Sequence, residues 1–398
     1  MFFFSLAAQK EGRRSKSRVK LQVALSLSLM SYFPAVLLLF AQAATAAQSA
    51  RPNPGPSFDT LSRQAAAARD ANRLDEAVAL YRRALKIRPS WDEGWWNLGS
   101  ITYDQDKYAE CAPAFQKLLA IKPELAPGWI MSGLCEYALH NYAGARKSLL
   151  RAESLKFDAP PELSRAGRLH LALVLTKTGA YEKAIVLLTE LTRMDRKTPE
   201  ISVAAGIAGL RKSWVPSEVP EASRDVVSKL GDAMASAMEL DPKSATEKFE
   251  AVVAENPTQA DLHFRFGAFL MQQAPERGIE EIKKALELDP KHIPALVGLT
   301  MIYLKNGDAA TAVNYAKQAV AVDPGDFATH VSLGRAYLDA DDAPRAAEQL
   351  QLAVKLAPES ADAHFSLASA YSRLGRKEDA QKEQEAFRLL RKQIDASK

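Results

Sequence analysis

A single repeat period runs through this chain and limits its fold more than any other feature. Prolines that end helical stretches fall at Pro89, Pro123, Pro257, Pro290, Pro324 and Pro358, at successive intervals of 34, 134, 33, 34 and 34. The long interval is close to four periods. Other residue types keep the register, with Leu299, Leu333 and Leu367, Tyr303, Tyr337 and Tyr371, and Ala312, Ala346 and Ala380 each spaced by 34. Within each unit, apolar residues recur at three- and four-residue steps in two runs. Polar breaks such as Lys305-Asn306-Gly307-Asp308 and Asp339-Ala340-Asp341-Asp342 separate them. That pattern is a helical hairpin, and a hairpin of this size buries its apolar side only by stacking on its neighbours. The predicted class is therefore all-α.

The residues within the period resemble the tetratricopeptide repeat (TPR) family over roughly residues 58–394. A first-helix pattern W-x2-L-G-x2-Y is met by Trp95, Leu98, Gly99 and Thr102, by His263, Phe266, Gly267 and Leu270, by His330, Leu333, Gly334 and Tyr337, and by His364, Leu367, Ala368 and Tyr371. A second-helix pattern A-x3-F-x2-A is met by Ala77, Tyr81 and Ala84, and by Ala346, Leu350 and Ala353. The chemistry behind it is packing: Gly or Ala lets two helix backbones approach, large residues fill the space beside them, and proline stops the second helix. The resemblance implies a right-handed α-solenoid of stacked hairpins, the TPR superhelix.

Departures from the period define the domains. The step from Ala145 to Ala184 is 39, so an insertion holding Pro160-Pro161 is expected to lengthen the turn before the fourth hairpin. From Ala184 to Ala245 the step is 61, seven short of two repeats. We read Glu200–Arg211 as a first helix that has lost its partner, followed by a loop over 212–221 in which Trp214 plugs the incomplete repeat. The predicted order is an export segment (1–47), a Pro-rich linker (48–57), four hairpins (58–195), an irregular joint (196–222), five hairpins (223–394) and a short tail.

The stretch Leu21–Phe40 is twenty uncharged residues, long enough to cross a bilayer, and Ala41-Gln42-Ala43 and Ala44-Thr45-Ala46 after it suit signal-peptidase cleavage. Cleaved or retained as an anchor, it places everything after residue 50 outside the cytoplasm, periplasmic or extracellular. The first twenty residues hold six of the 52 basic and one of the 48 acidic side chains, so residues 51–398 carry 46 basic against 47 acidic. A body without net positive charge is a poor partner for nucleic acid.

No phosphate-binding glycine loop, His-Glu-x-x-His, Cys-x2-Cys or serine-nucleophile motif occurs, so no enzyme, metal or cofactor is expected. His263, His330 and His364 recur in the large first-helix slot, a structural position too widely spaced for a shared metal. Cys111 and Cys135 read as small buried residues pointing into different helix contacts. A bridge between them requires Cα atoms within about 7 Å.

The resemblance also implies a concave face built from the first helices. The slot after the aromatic one holds Trp96, Ile130, Leu169, Leu230, Phe264, Val297, Val331 and Phe365, almost entirely apolar. With Tyr103, Tyr137 and Arg335 it gives the candidate partner-binding set: Trp96, Tyr103, Ile130, Tyr137, Phe264, Val297, Val331, Arg335 and Phe365. Trp96 and Tyr103 either contact a ligand or pack inside the superhelix. The expected function is a non-catalytic exported scaffold holding a protein or peptide along that groove. The alternative is an accessory subunit of an envelope enzyme or assembly complex, as in polysaccharide or pilus biogenesis.

Overall fold

The computed structural model describes residues 56–195 and 198–396, and the segment 1–47 expected to direct export lies outside them. Among the described residues there are α-helices and two short 3-10 turns but no strand. Four hairpins come first: α1 (Phe58–Asp70) with α2 (Leu74–Ile87), α3 (Asp92–Asp104) with α4 (Tyr108–Ile121), α5 (Ala126–Ala138) with α6 (Tyr142–Ser154), and α7 (Pro161–Lys177) with α8 (Tyr181–Asp195). Then comes α9 (Pro199–Gly209), with 3-10 turns at Pro216–Glu218 and Glu221–Ser223 in the loop after it. Five further pairs follow: α10 (Arg224–Met238) with α11 (Pro242–Glu255), α12 (Ala260–Leu270) with α13 (Pro275–Leu288), α14 (Ile293–Lys305) with α15 (Ala309–Val322), α16 (Phe327–Asp339) with α17 (Ala343–Leu356), and α18 (Ala361–Arg373) with α19 (Lys377–Ala396). The periodic prolines sit two residues beyond the ends of α2, α4, α11, α13, α15 and α17. There the ring blocks further winding at no cost in helical hydrogen bonds.

The insertion around Pro160-Pro161 goes mainly into a helix, not into the turn. α7 is 17 residues long where α1, α3, α5, α14, α16 and α18 are each 13. Pro161 occupies its first turn, where a missing N–H is harmless.

First helices other than α12 share one termination. The N–H of Lys107, Asn141, Ala180, Asp308, Asp342 and Arg376 each reaches back five residues to a carbonyl, at 2.8–3.0 Å in every case. The preceding residue, Asp106, His140, Gly179, Gly307, Asp341 or Gly375, takes the left-handed conformation such a cap needs. α9 and α10 both end this way, through Lys212 N–H to Ile207 O (3.3 Å) and Asp241 N–H to Ser236 O (3.0 Å). α9 ends as the first helices do and stands where the repeat spacing predicts a helix, although α6, a second helix, carries the same cap through Phe157 N–H to Ala152 O at 2.8 Å.

It has not lost a partner, however. A Cβ on Gly206 would lie 2.0 Å from the Val227 carbonyl oxygen, and one on Gly231 2.0 Å from that of Ser202, so α10 packs on α9 backbone to backbone. α10 thus fills the place of the missing second helix and also pairs with α11.

Two compact units divide between Ser148 and Leu149, inside α6, and residues 198–222 belong to the body of the second. In the first unit the core is built from Leu61, Ala65, Ala77, Tyr81, Ala84 and Leu98. The second holds a corresponding cluster around Leu333, Tyr337, Leu350, Leu367 and Tyr371.

The large first-helix slot acts as a latch on the turn before it. The indole N–H of Trp95 donates to the Pro89 carbonyl (2.8 Å) and that of Trp129 to the Pro123 carbonyl (2.7 Å). Nε2 of His263, His330 and His364 stands 3.0 Å from the carbonyls of Pro257, Pro324 and Pro358, again six residues back. Tryptophan and histidine alternate in one slot because each offers a flat apolar body with an N–H at its far edge.

Cys111 and Cys135 are joined in a disulfide, with Cα atoms 6.1 Å apart. This corrects the sequence reading. Their register in successive helices α4 and α5 turns both sulfurs into the same contact.

Candidate binding face

In the first unit the candidate residues pack inward. Trp96 on α3 is half-buried and meets Phe115 of α4 edge-on, ring centroids 5.6 Å apart. Tyr103 at the end of α3 is set against Tyr108 at 5.6 Å, and Tyr137 against Tyr142 at 5.8 Å. Burial pushes the Tyr103 phenol up to about 12, with the Asp104 and Asp106 carboxylates adding to it, so it stays neutral. Ile130 is fully buried. α5 is enclosed almost all round, with every residue from Ile130 to Glu136 buried, as befits a helix with so few polar positions.

The second unit divides the candidate set. Phe264 on α12 is only 8% exposed; its ring lies 5.1 Å from that of His292 and belongs to a cluster with Ile282, Ala285 and Leu299. Leu230 is wholly buried because α10 presses on α9, where a Cβ on Gly209 would lie 2.8 Å from its Cδ2. Ile130, Leu230 and Phe264 therefore offer a partner no surface, contrary to the slot pattern.

The remaining members form a face. Val297 on α14 and Val331 on α16 are half-buried, Arg335 on α16 is exposed, and Phe365 on α18 is 55% exposed, resting on Phe387 of α19 at 5.2 Å. α14 lies beside α16 and α16 beside α18. The sequence reading missed Met301, which is exposed one helical turn after Val297. Its signal was available: residues four apart share a helix face, so Met301, Arg335 and Ser369 form a second row beside Val297, Val331 and Phe365.

The joint is held by polar straps. Arg265 of α12 is buried and grips both carboxylate oxygens of Glu182 at the start of α8, at 2.7 and 2.9 Å, while its Nε donates to the Gly209 carbonyl at 3.3 Å. Arg211 adds a second ion pair to Glu182 at 3.1 Å. Burial alone would raise the Glu182 carboxyl; the hydrogen bonds and charge of Arg265, with Arg211, outweigh it and hold the group below its ordinary range. The loop after α9 is anchored by Val215 and Val219, both buried, and by Lys177, which pairs with Glu218 at 2.6 Å. Trp214 is only half-buried and lines a cleft of about 290 Å³ with Lys212, Val226, Gln259 and Asp261. The plugging predicted for Trp214 is done by the two valines.

Residues 67–106 match a model of the TPR repeat, and residues 233–390 match that of the cilia and flagella-associated protein 70 middle TPR-like domain. The chain belongs to the tetratricopeptide repeat family. Solved structures of MamA are similar over part of this TPR chain. One described as "MamA RS-1 ArsTM double mutant" is 21% identical and covers 41% of this chain and 92% of its own, with a TM-score of 0.38. "MamA 41-end from Desulfovibrio magneticus RS-1" is 22% identical over 41% and 92%, with a TM-score of 0.36. No curated protein matches the chain in sequence. The repeat family makes this a protein-interaction scaffold of stacked hairpins.

Proposed function

We propose that this TPR chain is a non-catalytic scaffold working outside the cytoplasm, and that it takes a partner's apolar segment on the face carrying Val297, Met301, Val331, Arg335 and Phe365. One observation carries the reading: Phe365, a large aromatic left more than half exposed, stands in register with the half-buried Val297 and Val331 on adjacent helices. Apolar side chains in that arrangement form the contact area that peptide-binding helical grooves use, with an arginine at the rim for orientation. The bond between Cys111 and Cys135 supports the location, since disulfides persist in oxidising compartments and are rare in the cytosol.

Two measurements test this. A photo-crosslinking residue at position 331 or 365 is expected to capture a discrete partner that the same residue at exposed Val186 on α8 does not, and Phe365→Ala is expected to weaken the captured complex at least tenfold. Identical products from all three positions would remove the face. Alkaline phosphatase fused after Lys398 is expected to be active, and an inactive but full-length fusion would remove the location without touching the face.

A further inference from the structure

The ring latches at His263 and His364 need more protons than a neutral histidine holds. At each, Nε2 faces a backbone carbonyl at 3.0 Å, Pro257 or Pro358, which can only accept a hydrogen bond. The other nitrogen, Nδ1, faces a carboxylate, Glu281 Oε2 of α13 at 2.7 Å or Glu383 Oε2 of α19 at 2.5 Å. An ionised carboxylate also only accepts. A neutral imidazole has one N–H and one lone pair, so it would set that lone pair against an acceptor in a site where the ring is some nine-tenths buried. Each site is satisfied only when the ring and carboxyl together hold one proton beyond neutral histidine and ionised glutamate.

The remaining members of the series act as internal controls. His330 places the same Nδ1 against Gln349 Oε1 at 2.8 Å, and an amide serves a neutral ring in either orientation. His292 accepts from the Ala295 N–H through Nδ1 at 3.1 Å and so donates through Nε2 to Asp261, which a neutral ring also satisfies. Trp95 and Trp129 fill the slot without titrating at all. Of the charged groups around the two rings, Glu281 and Glu287 of α13 face His263, while Asp261 and Arg265 on its own helix are engaged by His292 and Glu182. Glu383 of α19 faces His364, and Asp362 lies on its own helix.

We propose that His263–Glu281 and His364–Glu383 are proton-dependent latches on the α11–α12 and α17–α18 turns, so that the second unit tightens as the medium becomes acidic and loosens as it becomes alkaline. In the unfolded chain at pH 7.5 the histidine is neutral and the glutamate ionised, so folding takes up one proton per latch. The sign follows from linkage: stability is fully present below the range where free histidine titrates and is lost as pH rises through the range where the folded pair releases its proton. The loss is at most tenfold in the folded-to-unfolded ratio for each latch and each pH unit.

The test uses the full chain. Urea unfolding of the wild type from pH 6 to 8.5 is compared with the double variant Glu281→Gln, Glu383→Gln, which converts both latches to the His330–Gln349 type. The variant is expected to lose the part of the pH slope that the two latches supply, and a slope equal to that of the wild type overturns the proposal. A second reading needs no variant. Nitrogen NMR of the wild-type imidazoles at pH 7 is expected to show both ring nitrogens protonated, or a proton shared with the carboxyl, at His263 and His364, against one bare nitrogen at His330. A bare Nδ1 in His263 and His364 also overturns it.

Discussion

Gly206 and Gly231 stand where α9 and α10 meet, and neither position has room for a single methyl group. Each missing Cβ would fall 2.0 Å from a backbone oxygen of the opposite helix, whereas at Gly334 the obstacle is the Leu350 side chain, with Cγ at 2.4 Å. A side chain can turn away and a backbone cannot. Gly206→Ala is therefore expected to cost about 3 kcal/mol and Gly334→Ala about 1 kcal/mol, with Gly334→Leu nearer 3. Urea midpoints measure the order, and equal losses at the two alanines would mean that α9 and α10 are not in backbone contact.

The disulfide closes a loop with a sequence separation of 24 between α4 and α5. Restricting the unfolded chain by such a loop is worth about 2–4 kcal/mol, so Cys111→Ser with Cys135→Ser is expected to lower the melting temperature of the first unit's transition by several degrees. Adding reductant to the wild type gives the same shift. A melting curve indifferent to reductant would show that the two thiols are not joined.

Leu240 holds the left-handed cap conformation after α10 with φ of 60°, and its side chain is 76% exposed. The strain of a branched residue there is offset by no burial. Leu240→Gly is expected to stabilise by about 0.5–1 kcal/mol, the relief of left-handed strain less the extra freedom of glycine in the unfolded chain. A destabilised variant would show that the leucine makes a contact the exposed side chain does not suggest.

Glu136 on α5 is 6% exposed; Gln116 donates to its Oε1 at 3.2 Å, and its buried Oε2 has no hydrogen-bond partner. Burial raises its carboxyl above the ordinary value, with Gln116 and Lys147 only partly opposing. A raised folded value means stability that is present below the unfolded value and lost as pH rises through the folded one. Glu136→Gln is expected to match the wild type near pH 4 and to exceed it by about 1 kcal/mol at pH 7.5, where the wild type buries an ill-satisfied charge. Thermal unfolding at the two pH values reads the difference, and a constant gap between the curves would rule out titration as its source.

The hairpins, their order, the proline stops and the small slots were legible in the sequence because each is fixed by neighbours within one repeat period. The same local rule identified α9 as a first helix by position and marked Val297, Val331 and Phe365 as one row. It misjudged Ile130, Leu230 and Phe264, since a slot's exposure depends on what stands across from it, and at the joint α10 stands where no repeat would put it.

What the sequence determined alone is the repeating unit: helix, left-handed cap, helix, proline, and, at Trp95, Trp129, His263, His330 and His364, a flat N–H-bearing ring that ties the turn before it. Tertiary structure decided which helix serves α9, whether Cys111 reaches Cys135, that two valines and not Trp214 close the joint, and how many protons the His263 and His364 sites require. Those outcomes depend on distances between residues that chain periodicity does not couple, set by how closely two backbones approach and by which acceptor a buried nitrogen meets.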